Sequence, residues 1–203
     1  MIKHIVFDMG KVLVDYNAMY ACERLVEDPA DRDQVCTAVF VSPEWILLDM
    51  GVIPEEQALK QMCERLPKRL HEAAGKCMEQ WHRYCMQPRE AMAGLVRELK
   101  KKGYGIYLLS NASNRLPDMY KDVIPAVECF DGVMFSAVEK YIKPQKKIYE
   151  CFFDRFGLKP EECYFIDDLA LNIDGAKACG MDGYCFADGD IGRLKEKLNE
   201  LNQ

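Results

Sequence analysis

At 203 residues and 49% hydrophobic content, the chain is long enough to bury one substantial core or a core with an insertion, and it is too apolar for disorder. Lys plus Arg number 27 against 33 Asp plus Glu, a net charge of -6, which argues against a nucleic-acid partner while leaving room for a local cationic site. Ten cysteines without a Cys-x-x-Cys pair argue against structural zinc and a disulfide framework, and point to a reducing, cytoplasmic setting.

Met-Ile-Lys-His runs directly into an apolar, β-branched segment over residues 2–7, without the charged and apolar pattern of a secretion leader. No apolar stretch approaches the roughly 18 residues that a membrane span needs, so a soluble protein is expected. The first segment reads as a buried strand and ends in Asp8. Residues 16–87 then contain no clear apolar strand. Helical periodicity over 19–26, 34–48, 55–66 and 70–85 marks a helical insertion, punctuated by Gly51, Pro54 and Pro67 and closed at Pro88.

From Pro88 the pattern alternates strictly. Pro88 is expected in the first turn of a helix stopped by Gly103, followed by strands over 104–109 and 133–135 and a helix over 144–156 closed by Gly157. A strand over 163–166, a helix over 172–179 stopped by Gly180, a strand over 184–186 and an amphipathic helix over 191–201 complete the chain. Such alternation predicts an α/β fold with a parallel sheet covered on both faces. The division expected is a core of residues 1–15 and 88–203 with an inserted helical unit over 16–87.

In such sheets the binding crevice lies beyond the carboxyl ends of the strands. That rule gathers Asp8 after the first strand, Ser110 and Asn111 after the second, Lys143 after the third, and Asp167 and Asp168 after the fourth. Each has a plain structural reading: a turn carboxylate, a capping Ser-Asn pair, a solvated lysine, a pair of helix-capping aspartates. Together they suit phosphoryl transfer. Asp8 is the candidate nucleophile, forming an aspartyl-phosphate that water hydrolyses; Ser110, Asn111 and Lys143 are candidates for binding phosphate oxygens; Asp8 and Asp168 are candidate ligands of Mg2+, a hard cation that prefers oxygen and shields like charges.

The order Asp8, Ser110-Asn111, Lys143-Pro144, Asp167-Asp168 resembles the haloacid dehalogenase-like (HAD) hydrolase superfamily across nearly the whole chain. The resemblance implies a Rossmann-like core with an inserted helical cap, Mg2+ dependence and a small phosphate ester as substrate. It also implies that the Gly10 backbone carbonyl joins Asp8 and Asp168 on the metal, with Asp167 acting through water. Most phosphatases of this superfamily carry a second aspartate, the general acid and base, two residues after the nucleophile; this chain has Gly10. General acid-base help is typically worth about 10²- to 10⁴-fold, so its loss penalises poor leaving groups most.

Three readings of Gly10 stay open: a substrate whose leaving group departs readily, an acid lent by the cap, or weak activity. The Phe-Asp-x-Gly-x-Val opening is similar to that of bacterial α-glucose-1-phosphate phosphatases, which favours a sugar 1-phosphate. Asp15, Asp49, His71 and His82 are the potential proton donors on or near the cap, and each reads more simply as a packing or surface residue. Trp45, Trp81 and Tyr84 read as cap core. The rival functions are a metal-independent 2-haloacid dehalogenase and a non-catalytic phosphate-binding protein of the same fold.

Overall fold

The computed structural model describes residues 1–201. The chain opens with β1 (His4–Phe7) and β2 (Val14–Tyr16), then runs through the helices α1 (Met19–Leu25), α2 (Pro29–Phe40), α3 (Pro43–Asp49), α4 (Glu55–Glu64) and α5 (His71–Tyr84). β3 (Met86–Pro88), α6 (Glu90–Lys101), β4 (Gly105–Ser110), α7 (Leu116–Val123), β5 (Gly132–Phe135) and α8 (Ser136–Glu139) follow. The last elements are α9 (Lys146–Phe156), β6 (Cys163–Asp167), α10 (Ala170–Ala178), β7 (Asp182–Cys185) and α11 (Ile191–Glu200). No helix of the described residues is long and apolar enough to cross a membrane.

Among the described residues a five-stranded parallel sheet has the order β5-β4-β1-β6-β7, as the alternating pattern predicts. β1 lies at its centre, with Phe7 level with Leu108 on one side and Ile166 on the other, so the three strands end together. Both sheet faces are covered, which is why the strands read as continuous apolar runs. Ile5 and Phe7 face a large core shared with α6, α11 and the inserted helices; Val6, between them, faces a smaller core built with α9 and α10. β1 ends at Phe7, so Asp8 stands at the carboxyl edge of the sheet, where the crevice lies.

Within the insertion, helix boundaries differ from expectation. Residues 34–48 form two helices, because Ser42 caps α3 by accepting from the Trp45 amide at 3.2 Å and Pro43 takes its first position. α2 in turn begins at Pro29, capped by Asp28. Two strands escaped the periodicity. β2 and β3 pair antiparallel, Asp15 opposite Gln87, and form a two-stranded ribbon where the chain leaves and re-enters the core. Pro88 ends β3, and α6 starts at Glu90; a three-residue strand is too short to show alternation in sequence.

Candidate active site

Asp8 follows β1, and its amide continues the ladder by donating to the Ile166 carbonyl at 2.9 Å. A tight turn then lifts the chain away: the Leu13 and Val14 amides donate to Met9 O and the Lys11 amide to Val14 O. Lys11 sits in the left-handed region at φ 58, whereas Gly10 does not, and a Cβ at position 10 would meet no atom within 4 Å. The space for a side chain at position 10 is therefore open.

Lys143 is the electrostatic hinge of the site. Its ammonium donates to Asp8 Oδ1 at 2.7 Å and Asp167 Oδ2 at 2.6 Å, and its side chain is only 1% exposed. Asn111 shapes the loop that carries it, donating to Lys143 O at 3.0 Å and accepting from the Lys143 amide at 2.8 Å. The Asn111 amide thus engages the lysine loop while the residue also lines the crevice. Ser110 closes β4, is buried, and lines the crevice.

Asp167 is wholly buried and saturated by protein donors. Besides Lys143 it accepts from the Leu169 amide at 2.9 Å and from Asn172 Nδ2 at 2.9 and 3.1 Å, which fixes the turn into α10. Asp168 is freer; its nearest cation is the exposed Lys11, at 3.8 Å.

Burial pushes the Asp8 carboxyl up to about 6; Lys143 opposes the shift and the Asp167 charge adds to it. The Asp168 carboxyl is also raised, by burial and then by Asp167. Burial alone would lower the Lys143 ammonium, but Asp8 and Asp167 outweigh it and hold it above the ordinary lysine value. Three clustered carboxylates thus face one buried cation. The deficit of positive charge is what a divalent ion would relieve.

Ligand oxygens of Asp8, Asp167 and Asp168 lie within 4.8 Å of one another, a hard-oxygen set that fits Mg2+ rather than a softer metal. Since the oxygens of Asp167 already accept from protein donors, Asp8 and Asp168 are better placed to bind an ion directly.

The crevice opens as a cavity of about 310 Å³ between the sheet edge and the inserted helices. Its floor is Asp8, Gly10, Ser110, Asn111, Lys143 and Asp168; its roof includes Tyr16, Phe40, Trp45, Trp81 and Asp49. Trp45 packs edge-on against Phe40 and Trp81, with ring centroids at 4.9 and 5.4 Å. Trp45 and Trp81, which read as cap core, therefore also form the ceiling over the carboxylates. Asp49 is the other surprise. It ends α3 beneath that ceiling, and burial followed by the Asp8 charge pushes its carboxyl up to about 7. Nothing local to its sequence signals this, since only the cap's docking brings it over Asp8. Of the remaining candidates, Asp15 pairs with Arg89 at 3.4 Å in an exposed position, His71 Nε2 bonds Leu66 O at 3.1 Å and His82 packs edge-on against Trp81; none of the three lines the cavity.

The family model for haloacid dehalogenase-like hydrolases matches residues 2–180. A sesquiterpene phosphatase, AstK, from Aspergillus oryzae is 27% identical over 188 residues, covering 92% of this chain and 90% of its own length. A D-ribitol-5-phosphate phosphatase from Bacteroides thetaiotaomicron is 24% identical over 193 residues, 91% of each chain. A HAD family enzyme from Bacteroides thetaiotaomicron, solved with magnesium and inorganic phosphate, superposes with a TM-score of 0.73 at 20% identity, over 96% of this chain and 99% of its own. With the match running from the first strand through α10, the chain belongs to the haloacid dehalogenase-like hydrolase family.

Proposed function

We propose that the chain is a Mg2+-dependent phosphatase of small phosphate esters that works through an aspartyl-phosphate on Asp8. The observation that carries this reading is the meeting of Asp8, Lys143 and Asp168 at one sheet edge beneath a cavity of small-molecule size. Asp8 is the nucleophile. Asp8, Asp168 and the Gly10 carbonyl would hold Mg2+, whose charge would offset the repulsion between the carboxylate and a phosphate ester. Ser110 and Lys143 bind phosphate oxygens, Lys143 while it keeps Asp8 oriented; Asn111 acts on the phosphate chiefly by holding the lysine loop. Asp167 positions Lys143. Residues 1–15 and 88–203 are the catalytic core and 16–87 the cap that selects the substrate.

For the leaving group, the absent carboxylate at position 10 taken by itself, with no acid from the cap, favours one that departs readily, such as the anomeric oxygen of a sugar 1-phosphate. The aromatic ceiling of Tyr16, Phe40, Trp45 and Trp81 supports a second reading, an apolar alcohol of the kind that the Aspergillus relative's name indicates. A panel of sugar 1-phosphates, sugar 5-phosphates, prenyl phosphates and aryl phosphates, assayed with Mg2+ and with EDTA, separates these. Turnover that EDTA abolishes and Asp8→Asn eliminates is expected. Turnover of 2-haloacids that survives EDTA, or no turnover of any ester, would overturn the reading.

A further inference from the structure

We infer that Asp49, delivered by the cap, is the general acid and base of this enzyme, in the place of the carboxylate that Gly10 lacks. The inference rests on the phosphatase reading above and assigns a further catalytic residue to it.

Three features of the geometry carry it. First, Asp49 is the cap's carboxylate on the wall of the catalytic cavity, lining it together with Asp8, Gly10 and Asp168. Second, that carboxylate has no hydrogen-bond donor and no ion-pair partner among the described residues, although it is mostly shielded from solvent. Asp8 is the charge that acts on it, and the cations of the site are committed elsewhere: Lys143 to Asp8 and Asp167, Lys11 beside Asp168 and Lys140 to the Gly51 carbonyl. A carboxylate shielded on most sides, open to the cavity and without a protein partner is free for the chemistry of the site.

Third, the core itself holds Asp49 in place. Ser136 at the start of α8 is wholly buried; its hydroxyl donates to the Asp49 backbone carbonyl and accepts from the Ala112 amide at 2.9 Å. Ala112 directly follows Ser110 and Asn111, so one hydroxyl ties the phosphate loop to the residue above it. Two residues on, Gly51 takes φ +64 and packs so closely that a Cβ there would lie 2.2 Å from Ala137 O. The turn after Asp49 fits against the core only without a side chain at 51. Positioning of this kind is what proton transfer at a fixed point requires.

The chemistry balances. As an Asp8 oxygen attacks phosphorus, the bond from phosphorus to the ester oxygen breaks, and that oxygen takes the Asp49 proton and leaves as an alcohol. Water then attacks the aspartyl-phosphate and gives a proton to the Asp49 carboxylate. Inorganic phosphate departs, and Asp8 and Asp49 return to their starting states. A carboxyl with a raised protonation range suits both halves of the cycle.

The test is Asp49→Asn in the full chain with Mg2+, read as kcat/KM across esters of graded leaving-group acidity, from nitrophenyl to alkyl phosphates. Loss of about 10²- to 10⁴-fold is expected for alkyl phosphates and almost none for nitrophenyl phosphate. Nitrophenolate should appear in a burst as phosphorylated Asp8 accumulates. Gly10→Asp, for which the structure has room, should restore alkyl-phosphate turnover in the Asp49→Asn background. Beryllofluoride, a phosphoryl mimic, should bind the variant as it binds wild type. An equal loss on all esters, no loss on any, or loss of beryllofluoride binding would overturn the assignment while leaving the phosphatase intact. A wild type that turns over no ester overturns both.

Discussion

Replacing Lys143 with methionine keeps most of the apolar stem and removes the charge that two buried carboxylates share. In the native site the ammonium lies 2.7 Å from Asp8 and 2.6 Å from Asp167, and the side chains of Lys143 and Asp167 are 1% and 0% exposed. At an effective dielectric constant near 20, each contact carries roughly 6 kcal/mol of Coulomb attraction, most of it offset by the cost of burying three charges. Removing one member of such a set leaves the others unpaired, which typically costs about 3–5 kcal/mol. For a chain of this length that lowers Tm by roughly 6–20 °C, at about 2–4 °C per kcal/mol.

Protonation offers a partial escape. Asp167 keeps its bonds from Leu169 and Asn172, so Asp8, already pushed up to about 6 by burial, is the carboxylate that neutralises first. The loss should therefore be full at pH 8 and clearly smaller at pH 5. Urea melts of wild type and Lys143→Met at both pH values, in EDTA, measure it, with an unchanged m-value showing that the unfolding reaction is the same. A loss below about 1 kcal/mol at pH 8, or the same loss at both pH values, would refute the argument that this lysine offsets two buried charges.

In the metal-free protein, stability should fall as pH rises from about 4 to about 7 and level off above. Asp8 and Asp49 titrate near 3.8 when unfolded but near 6 and 7 when folded, so the folded chain holds more protons across that window. Thermal melts of wild type and Asp49→Asn check this: the variant should be the more stable at pH 8, by on the order of 1–2 kcal/mol once the carboxylate's opening to the cavity is discounted, and no more stable at pH 4. Ser136→Ala strips the buried Ala112 amide of its acceptor and frees the Asp49 carbonyl. It should cost about 1–3 kcal/mol in urea melts and should lower alkyl-phosphate turnover more than nitrophenyl-phosphate turnover. Trp45→Ala opens the ceiling of the cavity; steady-state kinetics should show KM raised about tenfold with kcat little changed, the signature of lost uniform binding.

Much of the core was legible in the sequence because its signals are local. Continuous apolar runs ending in polar residues reveal fully buried parallel strands, and Gly103, Gly157 and Gly180 stop the helices before the strands over 105–110, 163–167 and 182–185. Asp8, Ser110 and Asp167-Asp168 were found because each stands where such a run ends. The ribbon of β2 and β3 was not legible: three residues each are too few for a period, and what pairs Asp15 with Gln87 is the geometry of leaving and re-entering the sheet. The break at Ser42-Pro43 was in plain view, a capping serine before a first-turn proline, and the surrounding apolar periodicity masked it.

The sequence by itself determined the class of fold and the residues at the crevice edge, because strand ends and their charges are one-dimensional facts. Only the tertiary structure decided how those charges are shared. That Lys143 lies between Asp8 and Asp167, that Asn111 holds the lysine loop, and that Asp49 shares a cavity with Asp8 all depend on contacts between residues 24 to 135 apart in the chain. Partner choice over such distances follows from packing, and packing follows from the whole set of buried side chains rather than from any segment of them.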